Sequence, residues 1–419
     1  MTLIATSPRA TLTERVRALL TPTAGVAGPG RVGAEIELIP VRLTAEAPRR
    51  VPRVETLAAL VRSDPGLLAE GRVSFEPGGQ LELSPPYCPG VADTLRTISG
   101  LIARARNCAA QAGFVLLDAA VSPWLRVEDV GLQYDQPRYR AMQQRFDAVG
   151  PDGRRMMRLT ASLQVCVDLD PSLLRWRALN IVGPALSAAF AASPLRDGVE
   201  AGMCSARSAI WQQLDPTRTG FDGGHMGCDQ VGSYESFALD AVAMPLPREG
   251  TTLPPAGTTL REWIEMRSGE RPDDDDVVHH LTTLFPPVRP RGYLEVRYLD
   301  ALPARWRDVA LCTVAALCVD EQALWRAMDA VPTWDSTSTS AWARAAHDGV
   351  RDDSLRATAM QVLDVAAAAA RRAPRGWMPD NAASRIERFA AEYTARGRCP
   401  ADDLLQRWRA DPTDWAAWT

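Results

Sequence analysis

Three short stretches of this chain carry acids where a buried strand would carry apolar residues. Ser74-Phe-Glu-Pro-Gly-Gly-Gln-Leu-Glu-Leu-Ser84 sets Glu76, Gln80 and Glu82 around a Pro77-Gly78-Gly79 turn. Gly33-Ala-Glu-Ile-Glu-Leu38 sets Glu35 and Glu37 at i and i+2, and Tyr293-Leu-Glu-Val-Arg297 does the same with Glu295 and Arg297. Side chains two apart in a strand share a face, so in these last two stretches charge lines one side and apolar residues the other. Several inward-facing acids cannot all stay ionised away from water without cations. Oxygen-rich sites of this kind suit hard divalent ions, Mg²⁺ or Mn²⁺. The competing readings are solvated acids on exposed strand faces and, for Arg297, a plain ion pair with Glu295. Acids recurring on three strands, with apolar alternates, favour the cation reading.

Arginines accompany the acids. Arg207 lies in Cys204-Ser-Ala-Arg-Ser-Ala-Ile-Trp211, Arg218 in Asp215-Pro-Thr-Arg-Thr-Gly220, and Arg297 two residues from Glu295. A cation beside a metal ligand suits a polyphosphate gripped from both sides. The chain contains no lysine. A Walker-type phosphate loop and a Schiff-base mechanism are therefore excluded. Phosphate would have to be handled by arginine forks, backbone N–H groups and metal. A GC-rich genome explains the missing lysine without any functional cause. Histidine is scarce, with no zinc spacing, and there is no G-x-S-x-G elbow.

The elements that must position these groups follow from local pattern. Val32–Pro40 and Val73–Leu83 read as strands, the second with a turn inside it. Val91–Ala112 reads as a helix closed by Gly113. Thr160 to Asp170 alternates polar and apolar residues, which predicts a strand with one apolar and one polar face in an antiparallel sheet. Leu173–Ala192 reads as one helix on the apolar side. Gly220–Gly232 and Pro245–Pro255 read as loops, and Asp273–Asp276 as a solvated loop or helix start. Beyond Pro303 the chain turns Ala/Arg-rich and helical. The fold class is α+β: a curved antiparallel sheet with helices on its apolar face and the acids on its polar, concave face. The expected division is 1–30, a helix and loop; 31–303, the catalytic sheet; and 304–419, helices packed on the same domain.

The 419 residues carry a net charge of −4, which argues against nucleic acid or an anionic membrane as the main partner. No apolar run approaches membrane-span length. Charges arrive early at the N-terminus, with no signal-peptide core. The eight cysteines are scattered without a C-x-x-C pair, as for reduced thiols in a cytoplasmic protein. The sequence is silent on oligomeric state.

In order along the chain stand Gly33 to Glu37, Glu76 to Ser84, Met156-Met157 before Thr160 to Gln164, Arg207 to Trp211 with Asp215 to Gly220, and His280 to Pro286 running into Tyr293 to Asp300. This series resembles the plant-type and actinobacterial branch of the glutamate–cysteine ligase family, whose actinobacterial members open ergothioneine synthesis. The resemblance spans roughly Gly33 to Pro303. It implies a glutamine synthetase-like funnel with ATP on one side, amino acids on the other and Mg²⁺ between. It implies that Glu35, Glu37, Glu76, Glu82 and Glu295 hold metal, and that Arg297 contacts phosphate, with Gln80 and His280 as further nucleotide contacts. Gln164, Arg207, Trp211 and Arg218 become candidates for substrate binding. Plant-type members place an arginine where this chain has Leu159, and Arg158 stands one position earlier. The implied substrates are glutamate, cysteine and ATP. The alternatives are another carboxylate–amine ligase of the same fold, and a glycoside hydrolase using paired carboxylates.

Overall fold

The computed structural model describes residues 7–23, 28–42, 51–69, 73–248, 252–332 and 338–419. Parts of the segment expected as a helix and loop at 1–30 and of the loop expected at Pro245–Pro255 lie outside them. Nine strands are present among the described residues: β1 Val32–Arg42, β2 Val73–Phe75, β3 Leu81–Leu83, β4 Phe114–Leu117, β5 Ser162–Asp168, β6 Leu195–Arg196, β7 Val199–Glu200, β8 Val288–Pro290 and β9 Tyr293–Asp300. The main sheet runs β2-β3-β1-β5-β9-β8, all antiparallel and open, with β4 pairing the far end of β1. β6 and β7 form a separate hairpin.

Register gathers the functional side chains. Glu37 stands opposite Glu82, Glu35 opposite Gln164, and Glu295 opposite both Cys166 and Arg289. Between Leu163 and Val165 the pairing of β5 with β9 shifts by one residue. Leu163 faces Leu299 and Ser162 faces Asp300, while Val165 faces Val296. The shift is a bulge at Arg297-Tyr298. It lets Glu295, Arg297 and Asp300 share one face although the last two are three residues apart.

The apolar alternates Ile36, Leu38, Leu163, Val165, Leu294 and Val296 are buried in one continuous hydrophobic core. The helices Val91–Gln111 and Ala304–Leu317 pack against the sheet, so the C-terminal helices share this core. The opposite face is covered too. Helices Pro137–Asp147, Asp152–Leu159 and Ala206–Leu214 join through a second apolar cluster that includes Met142, Phe146, Met157 and Ile210. All seven residues of β5 are buried as a result. The alternation of β5 thus separates a dry face from a cavity face, rather than a dry face from bulk water.

The helix expected from Leu173 to Ala192 is broken, and the Ala/Arg-rich C-terminal stretch is divided in the same way. Leu174–Ile181 gives way to Gly183–Ala189 at Gly183-Pro184, where proline lacks an N–H and its ring crowds the preceding turn. Thr339–His347 is separated from Asp353–Arg372 by a single turn containing Gly349, whose φ is +57°. The acidic run is a helix start: Asp273 and Asp276 form a capping box, and both pair with Arg248.

Candidate active site

A cavity of about 570 Å³ lies between the sheet and the covering helices. Glu35 and Glu37 enter it from β1, Glu82 from β3, and Glu76 from the turn joining β2 to β3. That turn is tightly made. The amide of Gly79 donates to Glu76 O at 2.8 Å, and the amide of Glu76 to Gln80 O at 2.9 Å. Gly79 has φ +88°. A Cβ on Gly78 would lie 2.3 Å from the carbonyl oxygen of Arg158, so only glycine lets the two backbones meet. Gln80 fastens the turn from below, donating from Nε2 to Thr160 O at 2.9 Å and Met157 O at 3.4 Å. Its amide nitrogen is thus committed to the backbone, while Oε1 is buried with no partner.

Glu37 is held by donors of the neighbouring strand: Ser162 N at 2.8 Å, Ser162 Oγ at 2.9 Å and Gln164 Nε2 at 3.0 Å. Ser74 Oγ donates to Glu82. Glu35 and Glu76 have no side-chain hydrogen bond or ion pair among the described residues. Burial, then the charges of Glu295 and Glu82, push the Glu35 carboxyl up to about 8. Burial, then Glu82 and Glu37, push Glu76 to about 8 as well. Glu37 is raised by burial and by Glu82. These acids face one another without a cation of their own, which is the electrostatic condition a divalent ion relieves. Among the described residues, no three His, Cys, Asp or Glu side chains are yet drawn together as a formed metal centre.

Glu295 is placed differently from the other four. It is fully buried and surrounded by guanidinium groups: Arg289 at 2.8 Å, Arg291 at 3.6 Å, and Arg297 in direct hydrogen-bonded contact. Burial pushes its carboxyl up, but Arg289, Arg297 and Arg291 outweigh burial and hold it near 2. As arranged, Glu295 anchors arginines, with both of its oxygens engaged by guanidinium groups. The structure thus favours the ion-pair reading of Glu295 with Arg297. Arg297 also donates to Gln164 Oε1 at 2.8 Å. This directs Gln164 toward the arginine as acceptor and toward Glu37 as donor.

Arg297 borders a second, smaller cavity of about 140 Å³, whose lining also includes Arg207, Trp211 and Phe285. Trp211, Phe285 and Arg297 line both cavities and form the partition between them. Arg207 is buried behind it, donating to the carbonyl of Arg297 at 2.9 Å and lying 3.9 Å from Asp300. Asp300 is itself fixed by Ser193 Oγ at 2.8 Å and Ser205 Oγ at 3.0 Å.

Two assignments require correction. Arg218 is fully buried outside both cavities, and its guanidinium is consumed by the Thr283 carbonyl and hydroxyl and the Val242 carbonyl. It ties helix segments together and presents no fork to a substrate. His280 is likewise buried, with Nε2 2.8 Å from Ala238 O, and burial and Arg218 hold its imidazole down at about 3. It lines neither cavity. Arg158 reaches Val130 O at 3.1 Å and Gln143, away from the acids.

Sequence reasoning missed Arg138, Arg289 and Arg291, all on the wall of the larger cavity. Arg289 and Arg291 had a readable signal, since they alternate before Gly292 as Glu295 and Arg297 alternate after it. Arg138 had none beyond its place in the first turn of its helix.

An open antiparallel sheet with acids and arginines on a helix-covered face is the fold of the glutamine synthetase-like ligases. The glutamate–cysteine ligase GshA from Francisella tularensis, solved in complex with AMP, superposes with a TM-score of 0.51 over 91% of this chain and 85% of that one, at 14% identity. The family model for glutamate–cysteine ligase family 2 matches residues 31–416, and the chain belongs to that family. It is 35% identical over 389 residues to glutamate–cysteine ligase EgtA of Mycolicibacterium smegmatis, covering 90% of this chain and 87% of that protein. It is 30% identical over 355 residues to the chloroplastic glutamate–cysteine ligase of Medicago truncatula, covering 80% and 67%. Membership in this family sets aside the glycoside hydrolase. No helix among the described residues is long and apolar enough to cross a membrane.

Proposed function

We propose that this enzyme joins the γ-carboxylate of L-glutamate to the amine of L-cysteine, driven by ATP. The glutamate carboxylate attacks the γ-phosphorus, ADP leaves, and a γ-glutamyl phosphate forms. The cysteine amine then attacks the acyl carbon, forming the amide bond and releasing phosphate and a proton. The observation that carries this reading is the position of Arg297. It is the charged group on the partition, with the uncompensated acids on one side and the smaller cavity on the other. A γ-glutamyl phosphate formed on the larger-cavity side would meet an amine arriving from the smaller cavity at such a point.

Glu35, Glu37, Glu76 and Glu82 would hold Mg²⁺ or Mn²⁺, and the raised carboxyls of Glu35, Glu37 and Glu76 fit that role. Such a cation supplies neutralisation of the triphosphate and alignment of the transfer. Arg297, fixed by Glu295 and Gln164, stabilises charge on the moving phosphoryl group. Arg138, with no ion pair among the described residues, is free to reach phosphate from the helical side. Gln164 and Trp211 contact substrate, and Arg207 supports Arg297 from behind. The likeness to the actinobacterial branch supports a thiol pathway such as ergothioneine synthesis as the destination of the product, and a cytoplasmic enzyme is the setting we propose for it. Product identification by mass spectrometry tests the reading, using an equimolar mixture of acceptor amino acids with glutamate, ATP and Mg²⁺. γ-Glutamylcysteine is the expected main product. Another γ-glutamyl amide in its place would reassign the acceptor, and no ADP release with any pair would remove the reading.

A further inference from the structure

The smaller cavity has a wall that the first 303 residues do not supply. Trp342, from the helix Thr339–His347, lines it opposite the partition residues Trp211 and Phe285. Two contacts hold the indole and a third holds its backbone. The backbone of Gly183 comes so close that a Cβ there would lie 2.7 Å from ring carbon Cη2. The Tyr298 ring packs with its centroid 5.5 Å away. Gln212, itself on the cavity wall, donates to the Trp342 carbonyl at 3.0 Å. The residue is 8% exposed. The indole is therefore a rigid boundary.

The two cavities differ in what they can hold. The larger carries four carboxylates and suits a cation-bound polyphosphate. The smaller is walled mainly by rings and prolines, with the uncharged polar side chains Ser208, Gln212, Thr219 and Thr339 among them, and its charged lining residues are Arg207, Arg297 and Asp222. Glutamate brings two carboxylates and an ammonium group, and needs polar partners at both ends. A short uncharged side chain needs only apolar walls, and sulfur makes favourable contacts with rings.

We infer that the smaller cavity takes the side chain of the amine-donating amino acid, and that Trp342 sets the upper limit on its length. This rests on the ligase reading above. The C-terminal helices then contribute specificity as well as packing. Trp342 is a specificity residue with no part in phosphoryl transfer.

The experiment compares wild type, Trp342→Ala, Trp342→Phe and Gly183→Ala. The acceptors are cysteine, 2-aminobutyrate, norvaline and norleucine, with glutamate, ATP and Mg²⁺. In wild type, kcat/KM should fall about tenfold or more for each methylene beyond 2-aminobutyrate, the scale on which a close-fitting pocket resists an added methylene. Trp342→Ala should raise the norvaline-to-2-aminobutyrate ratio by about tenfold or more, and Trp342→Phe by less. KM for glutamate and ATP should stay within about twofold of wild type in both. Gly183→Ala displaces the ring without lining the cavity, and should raise KM for cysteine several-fold with KM for glutamate unchanged. An unmoved acceptor ratio in Trp342→Ala overturns the inference. So does a raised KM for glutamate in place of cysteine, which would give the cavity to the acid substrate. If Trp342→Ala does not fold, acceptor profiles unmoved in both Trp342→Phe and Gly183→Ala overturn it equally. Wild-type enzyme that makes no γ-glutamylcysteine defeats the ligase reading itself, and this is visible before any variant is compared.

Discussion

The two ends of the sheet face the same cavity and handle buried charge in opposite ways. At one end, β1 and the β2–β3 hairpin present Glu35, Glu37, Glu76 and Glu82, and among the described residues no guanidinium forms an ion pair with them. At the other, the β8–β9 hairpin encloses Glu295 between Arg289, Arg291 and Arg297. The first end is held together against its own electrostatics, with the carboxyls of Glu35, Glu37 and Glu76 forced upward by burial and neighbouring charge. At the second the one carboxylate is fully paired, and the guanidinium groups outnumber it three to one, which leaves positive charge for an anion. A site of this kind separates the residues that await a charged ligand from those already fixed to act on it. The arginine end is preorganised, and the acid end becomes so only when cations arrive.

The largest contrast should appear in stability. Glu295→Gln leaves three guanidinium groups without their carboxylate, and breaking a buried pair from one side costs about 3–5 kcal/mol. Chemical denaturation should show a loss of that size, and an unchanged midpoint would mean the arginines find other partners. Glu35→Gln should do the reverse in metal-free protein, raising the midpoint because one of several repelling acids is removed.

Activity should then divide along the same line. Glu35→Gln and Glu37→Gln should each lower turnover about a hundredfold or more if they hold a catalytic cation. Wild-type rates in both would make the acid end structural. Arg297→Lys keeps charge but loses the planar fork. We expect kcat to fall about tenfold, with a smaller change in KM for glutamate. A raised KM at constant kcat would move Arg297 from phosphate to substrate carboxylate.

The smallest effect is in the pH dependence of metal-free protein. Glu35 and Glu76 titrate near 8 in the folded state against an ordinary value of 4.5. A folded pKa raised in this way contributes stability that is full below 4.5 and lost as pH rises through about 8. Glu295, near 2, contributes stability that is full above 4.5 and lost as pH falls toward 2. In chelator, the thermal midpoint should therefore decline by a few degrees between pH 5 and pH 8, and Mg²⁺ should flatten that decline. An identical slope with and without Mg²⁺ would sink the assignment of these acids to cations.

Much of this site could be read from the chain because its signals are local. Acids at i and i+2 fix a strand face by geometry alone, and Pro77-Gly78-Gly79 marks a turn wherever it occurs. What could not be read is whether a charge is already satisfied. Arg218 and Arg297 both follow chemically plausible motifs, yet one guanidinium is consumed by carbonyls and the other stands on the cavity wall. That difference depends on residues 24 and 65 positions beyond Arg218, Val242 and Thr283, which no spacing rule connects to it. The arginine cage of Glu295 was half legible, since the β8–β9 hairpin follows from alternation about Gly292 and its register does not. Trp342 was invisible, because an Ala-rich helix gives no sign of which ring it will lend to a distant wall.

The bulge at Arg297-Tyr298 has a consequence for how this strand can change over evolutionary time. On its two sides β9 runs in different phase: Glu295 and Arg297 keep one count, and Asp300 another. Deleting one residue there would straighten the strand and turn either Arg297 or Asp300 to the apolar side. Arg207 would lose an anchor in either case, since it bonds the carbonyl of the first and neighbours the carboxylate of the second. Length polymorphism should thus be tolerated in the loops around the sheet and refused at this position, where the spacing between two side chains is itself an inherited character.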